Sequence, residues 1–181
     1  MRQDERAWLT VTPVQIPDAK KNAAIGKPLI AEETIVNTGK TPAFFLGGHA
    51  VIDILKEGEK PKFPPLALDD PTLGFPKTAA YFYLGEMTPN NQPIAFPVSS
   101  DPLTKAQKDA LDTGKAWMMV HGIIVYWDVF KHRHWISFCF WGSGLAGQFH
   151  AGACTAANMT DEFETAYIAL QRIEAEEDTH K

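Results

Sequence analysis

The sequence predicts a mainly β protein: an antiparallel β-sandwich with a short internal helix and a C-terminal helix. Three observations carry this. About seven segments have strand-like patterning separated by turn residues, and only two carry helical signals. All thirteen prolines lie at or before Pro102, nine of them between Pro61 and Pro102. Eight of the twenty aromatic residues crowd into Trp117–Trp141. Proline cannot donate to a sheet ladder and is kept out of central strands, so this aromatic, proline-free stretch is the expected middle of a sheet.

Each element has its own reason. Arg6–Ile16 is extended, and Pro13 and Pro17 mark it as an edge strand or one that changes partner. Pro28–Asn37 is a second strand, closed by the turn Asn37-Thr38-Gly39-Lys40. In Ala43–Leu55, Phe44, Leu46, Ala50, Ile52 and Ile54 share one parity, as a half-buried strand requires. Gly47-Gly48 interrupts that strand and predicts a bulge or bend. Pro61–Pro76 reads as an irregular surface excursion. Ala79–Leu84 and Pro93–Val98 are shorter strands. Thr104-Lys105-Ala106-Gln107 fits a capping box, with Gly114 placed to end the helix that follows. Trp117–Trp127 is apolar on both parities apart from His121, which predicts burial of both faces. Asp128–Arg133 turns the chain, and His134–Trp141 returns as the hairpin partner. A tail helix is expected from Thr160, with Asp161 and Glu162 where the helix dipole favours acids. Its apolar stripe is Phe163, Ala166, Tyr167, Leu170 and Ile173.

With 181 residues and 20.1 kDa, the chain suits one domain. We read residues 1–159 as the sandwich and 160–181 as an acidic helix of the same domain. No run of about 18 apolar residues is present to span a membrane. The net charge of −5 sits entirely in the tail, where seven acids face Arg172 and Lys181. The body is neutral, so an electrostatic footprint for nucleic acid is missing.

Four motifs invite chemistry. Asn37–Ala43 combines residues that tolerate positive φ with Pro42, which extends Thr41. It reads as a fold-specifying turn rather than a ligand loop. Cys139 and Cys154 could be buried thiols or a bridge, and cysteine counting leaves that open. No CxxC occurs, which argues against redox catalysis. His132 and His134 stand two apart, and with Asp128 and His150 they form the candidate set for zinc or copper. An isolated HxH at a hairpin is more often solvated or packed across strands, so no metal is expected. Ser143 lies in Gly-Ser-Gly, not in the G-x-S-x-G elbow of a hydrolase, and no glycine pattern for phosphate occurs. Neither catalytic residues nor a cofactor is expected.

Several short pieces together carry a resemblance. Arg6-Ala7-Trp8, Asn37–Ala43, Leu103–Gln107, Tyr126-Trp127-Asp128-Val129-Phe130 and His134–Cys139 resemble those of a group of bacterial periplasmic proteins. These proteins are usually tethered by an N-terminal transmembrane segment. The resemblance implies an immunoglobulin-like sandwich in the periplasm or cell envelope, with Cys139 bonded to Cys154. It implies no reaction. Membrane association would run through an N-terminal anchor; with the chain starting Met1-Arg2-Gln3, the expectation is either that such an anchor was removed or that this relative is a soluble subunit of something else. The expected role is a non-enzymatic binding or structural module that contacts another protein. The alternatives are a periplasmic metal-binding protein, or a subunit of a larger assembly docked by its acidic helix.

Overall fold

A computed structural model describes residues 6–15, 22–56, 58–59, 80–90, 92–143, 152–154 and 159–160. They form two antiparallel sheets. The smaller has the order β1 (Leu9–Gln15), β2 (Pro28–Asn37), β5 (Ile94–Pro102). The larger runs β4 (Ala80–Met87), β3 (Ala43–Lys56), β6 (Ala116–Trp127), β7 (Arg133–Ser143). Two short strands, β8 (Gly152–Ala153) and β9 (Met159–Thr160), both pair with the free side of β7.

The expected strands are therefore present, and their differences have physical causes. β5 runs on to Pro102 because its backbone keeps pairing with β2 through Ser99, with Pro28 opposite Pro102 at the end. Prolines inside described strands keep to edges or ends: Pro13 is on edge strand β1, Pro97 on edge strand β5, and Pro28 opens β2. The register of β1 slips between Thr12 and Gln15, around Pro13. The irregularity of β3 falls at Phe44–Gly47, at the near side of the glycine pair. β8 and β9 are two residues each, too short to show any period. Thr160, expected to begin the tail helix, instead pairs with Ile136. The rest of that helix and the 61–76 excursion lie outside the described residues.

The single described helix, α1 (Lys105–Asp112), is built as its sequence indicates. The Gln107 backbone N–H donates to Thr104 Oγ1 at 3.2 Å, and Gln107 Oε1 accepts from the Thr104 N–H at 3.0 Å. Gly114 follows with φ of +70°, a value that costs glycine little.

The core lies between the sheets. Leu29, Ala31 and Ile35 of β2, and Phe96 and Val98 of β5, meet Ala50 and Ile52 of β3, Val120 and Ile124 of β6, and Phe138 and Phe140 of β7. Phe96 and Phe138 join the sheets edge to face, with centroids 6.4 Å apart. A side chain at Gly122 would meet His49 O at 2.3 Å and the Phe138 ring at 2.7 Å. Glycine there lets the Phe138 ring lie against β6. The opposite parity of β6, with His121, Ile123 and Val125, is buried as well, as its apolar pattern predicts.

Cys139 and Cys154 form a disulfide across fifteen residues, with Cα atoms 5.4 Å apart. Cys154 N–H also donates to Cys139 O at 3.0 Å. The bridge ties the segment after β7 back onto the larger sheet and is not an inter-sheet staple. Removing it with Cys154→Ser should cost about 3 kcal/mol, or about 6–12 °C in Tm. Thermal melts of the variant and of reduced wild-type protein check this, and the two should agree.

One core residue is out of place chemically. Glu33 is fully buried on the inward parity of β2, and neither carboxylate oxygen has a hydrogen-bond partner among the described residues. Burial pushes its pKa from 4.5 up to about 8. The folded protein thus keeps a proton that the unfolded chain releases. Stability is fully present below pH 4.5 and falls as pH rises through the window to about 8, by at most about 1.4 kcal/mol per pH unit. Glu33→Gln should flatten this slope. Urea unfolding of both proteins between pH 5 and pH 8.5 is the measurement, and parallel curves would refute the assignment.

Candidate functional site

Arg6-Ala7-Trp8, Asn37–Ala43 and Tyr126–Phe130 meet at one end of the sandwich, where β6 turns into β7, while Leu103–Gln107 lies at the other, where Leu103 bonds to Gly26 and Lys27. Asn37 closes β2 there and is 1% exposed. Its Oδ1 accepts from Gly39 N–H at 2.9 Å and Trp8 N–H at 3.4 Å. Its Nδ2 donates to the carbonyls of Thr41 and Met87, each at 2.9 Å. The turn lies tightly on the chain before β1: Thr38 N–H donates to Trp8 O at 2.7 Å and Lys40 N–H to Arg6 O at 3.2 Å. A Cβ on Gly39 would sit 2.4 Å from Arg6 O and from Trp8 N. Any other residue would push the two segments apart. The Arg6 guanidinium stacks 3.8 Å above the Trp8 ring, a cation–π contact. Asn37–Ala43 is thus a fold-specifying turn, as its residues indicate.

The hairpin bend completes this end. Asp128 is 2% exposed and organises four residues around it. Its Oδ1 accepts from the N–H of Phe130 at 2.8 Å and of His132 at 2.9 Å. The bend closes with Lys131 N–H donating to Asp128 O and Asp128 N–H donating to His132 O, both at 3.0 Å. Lys131 takes φ of +64°. Asp128 Oδ2 lies 3.1 Å from His134 Nε2 and 3.5 Å from His132 Nδ1. Burial works to raise the Asp128 pKa, but hydrogen bonds from His134 and from the His132 and Phe130 amides outweigh it. The carboxyl is held below its ordinary range. The His134 ring lies 5.3 Å from the Tyr126 ring, and Tyr126 Oη donates to Ala7 O at 3.3 Å. Bend, β6 and N-terminal segment are therefore mechanically joined.

Three of the four candidate ligands thus meet. Asp128, His132 and His134 share one carboxylate oxygen, although His132 is 63% exposed and His134 only 7%. His150 lies outside the described residues. Among the described residues, no group of three or more His, Cys, Asp or Glu side chains is placed to hold a metal ion. The Asp128 carboxylate is directed at its own turn.

Beyond the bend, Val129 and Phe130 stand 40% and 50% exposed, followed by Lys131, His132 and Arg133. This is an apolar tip with a basic flank, held on an internally hydrogen-bonded turn.

A second polar cluster escaped the sequence reading. On the outer face of the larger sheet, Asp53 of β3 reaches His121 of β6, Oδ2 to Nε2 at 2.9 Å. His49 lies on the same face and is 1% exposed. Burial, then the proximity of His121, drives the His49 pKa down to about 3, so its ring is neutral at ordinary pH. His121 stands out in an apolar strand, a usable signal. Asp53 gives none until the β3–β6 register brings Val51 opposite His121.

The Asp128 assignment is testable. The depressed carboxyl stabilises the fold at neutral pH, and that contribution is lost as pH falls through its folded-state value. Asp128→Ala should cost about 2–4 kcal/mol and Asp128→Asn, which keeps an acceptor for both amides, about 1 kcal/mol. Thermal melts with and without added zinc provide the readout. A zinc-dependent rise in the wild-type midpoint that Asp128→Asn abolishes would make this end a metal centre instead.

No protein-family model matches the chain, and no curated protein or solved structure is significantly similar to it.

Proposed function

We propose that the chain is an extracytoplasmic, immunoglobulin-like sandwich acting as a non-enzymatic binding module, which contacts a partner protein through the β6–β7 hairpin tip. The observation that carries this is the exposed Val129–Phe130 pair on a turn whose own hydrogen bonds are satisfied internally. Such a tip can bury an aromatic anchor in a partner without first losing conformational freedom. Lys131 and Arg133 beside it favour an acidic surround on the partner.

Support for the compartment comes from the disulfide, since such bridges persist mainly in oxidising environments. Support for the immunoglobulin-like topology comes from strand order. The first, second and fifth strands make one sheet, and the fourth, third, sixth and seventh line up in the other. The resemblance of Arg6-Ala7-Trp8, Asn37–Ala43, Leu103–Gln107, Tyr126–Phe130 and His134–Cys139 to pieces of bacterial periplasmic proteins supports the same reading. A second reading, a periplasmic metal-binding protein, has one observation in its favour: both His132 and His134 approach Asp128 Oδ2. The zinc melts above decide it.

A photo-crosslinking amino acid at Phe130, introduced into the full chain in bacterial cells, tests the main reading. We expect a discrete protein adduct from position 130. A probe at Lys108 on α1 should give none. Equal labelling from both positions, or none from Phe130, would set the hairpin tip aside as the contact.

A further inference from the structure

We propose that the outer face of the larger sheet carries a carbohydrate-binding platform made of Trp117, Trp141 and Asp53. The two tryptophans are diagonal neighbours on β6 and β7: Trp117 stands opposite Ser143, and Met119 opposite Trp141. They share the parity of His121 and Cys139, which faces away from the core. Trp117 is 43% and Trp141 37% exposed, and their ring centroids are 5.4 Å apart at 41°. The next sheet neighbour of Trp141 is Gly152, a residue with no side chain to cover the ring. One row of the sheet runs Asp53, Met119, Trp141, and Asp53 is a diagonal neighbour of Trp117, so the carboxylate lies on the face of the aromatic pair with Met119 between it and Trp141.

Asp53 is prepared for a ligand. The buried His121 engages its Oδ2 at 2.9 Å, and the side chain stays 35% exposed. One oxygen is therefore fixed, and the partly exposed carboxylate shares the sheet face of the two indoles.

That combination suits a sugar. The negative face of an indole attracts polarised C–H groups. A pyranose whose substituents are equatorial has an apolar C–H face and a rim of hydroxyl donors. The face would stack on the indoles, and a rim hydroxyl would donate to Asp53 Oδ1. Two rings in contact form one continuous surface and leave no gap between them, so they do not make the walls of a box around a quaternary ammonium group. An apolar protein surface laid here would bury the Asp53 carboxylate without a new donor, which is costly. The platform lies at the far end of β6 from the hairpin tip, about 30 Å away along the strand. It stands whether or not the tip has a partner.

The probes are the β-1,4-linked tetramer of N-acetylglucosamine and cellotetraose, each titrated to about 10 mM, above the millimolar affinity expected of a shallow open site. The readout is the set of indole N–H resonances of the full ¹⁵N-labelled chain. We expect saturable shifts for Trp117 and Trp141 with at least one sugar, while Trp8, Trp127 and Trp135 stay in place. Trp141→Ala should weaken binding about tenfold and Asp53→Asn severalfold; Trp141→Tyr, which keeps an aromatic face, should restore most of it. No shift with either sugar overturns the proposal, and so do shifts confined to the other tryptophans. Equal shifts with tetramethylammonium chloride would overturn it in favour of a cation site.

Discussion

A single buried amide holds the two sheets in register at one end of the molecule. Asn37 has two acceptor positions and two donor hydrogens, and all four are used. Its partners come from the chain before β1, from the turn into β3 and from the end of β4. The first belongs to the small sheet, the last two to the large one. Loss of that side chain would leave buried backbone groups unpaired on both sides, a cost beyond the hydrogen bonds themselves. Gly39 works with it, because only glycine lets the turn lie against Arg6 and Trp8. The Tyr126 hydroxyl reaches the same N-terminal segment. The bend around Asp128 hangs on this frame.

The frame explains why the polar groups of this end are architectural first. Asp128 is a charged side chain almost without solvent, and its stability depends on three donors converging on it. A carboxylate so engaged orients a turn; what the turn presents is Val129 and Phe130. What the turn exposes at Val129 and Phe130 is apolar, whereas the polar atoms behind them supply stiffness. The opposite end divides the work differently. There the aromatic rings are exposed, and the partly exposed Asp53, held by His121, shares their face of the sheet.

Two buried groups set against each other show how burial selects protonation. Glu33 faces the core with no hydrogen-bond partner among the described residues and retains its proton. His49 faces the outer side of the sheet and stays neutral by losing one. Both respond to the same cause, removal of charge from water, with opposite signs because one ionises by losing a proton and the other by gaining one.

Much of this was legible along the chain because its signals are local. The strand limits of β2, β6 and β7, the capping box at Thr104, the turn at Asn37 and the Asx bend at Asp128 rest on parity, proline placement or short-range hydrogen bonds. These depend on residues within a few positions. What the chain alone left undecided was every feature that needs one segment laid against a distant one. β8 and β9 exist only because β7 offers them an edge. The Asp53–His121 pair depends on the register of β3 against β6, and the Trp117–Trp141 platform on that of β6 against β7. A one-residue slip in either would send these side chains to the opposite face. Cysteine counting leaves Cys139 and Cys154 open; the resemblance implies their bridge, and pairing along β7 brings their Cα atoms within bonding range. Local sequence determined the elements and their turns; tertiary pairing alone decided which side chains became neighbours, because sheet register is set between segments and not within them.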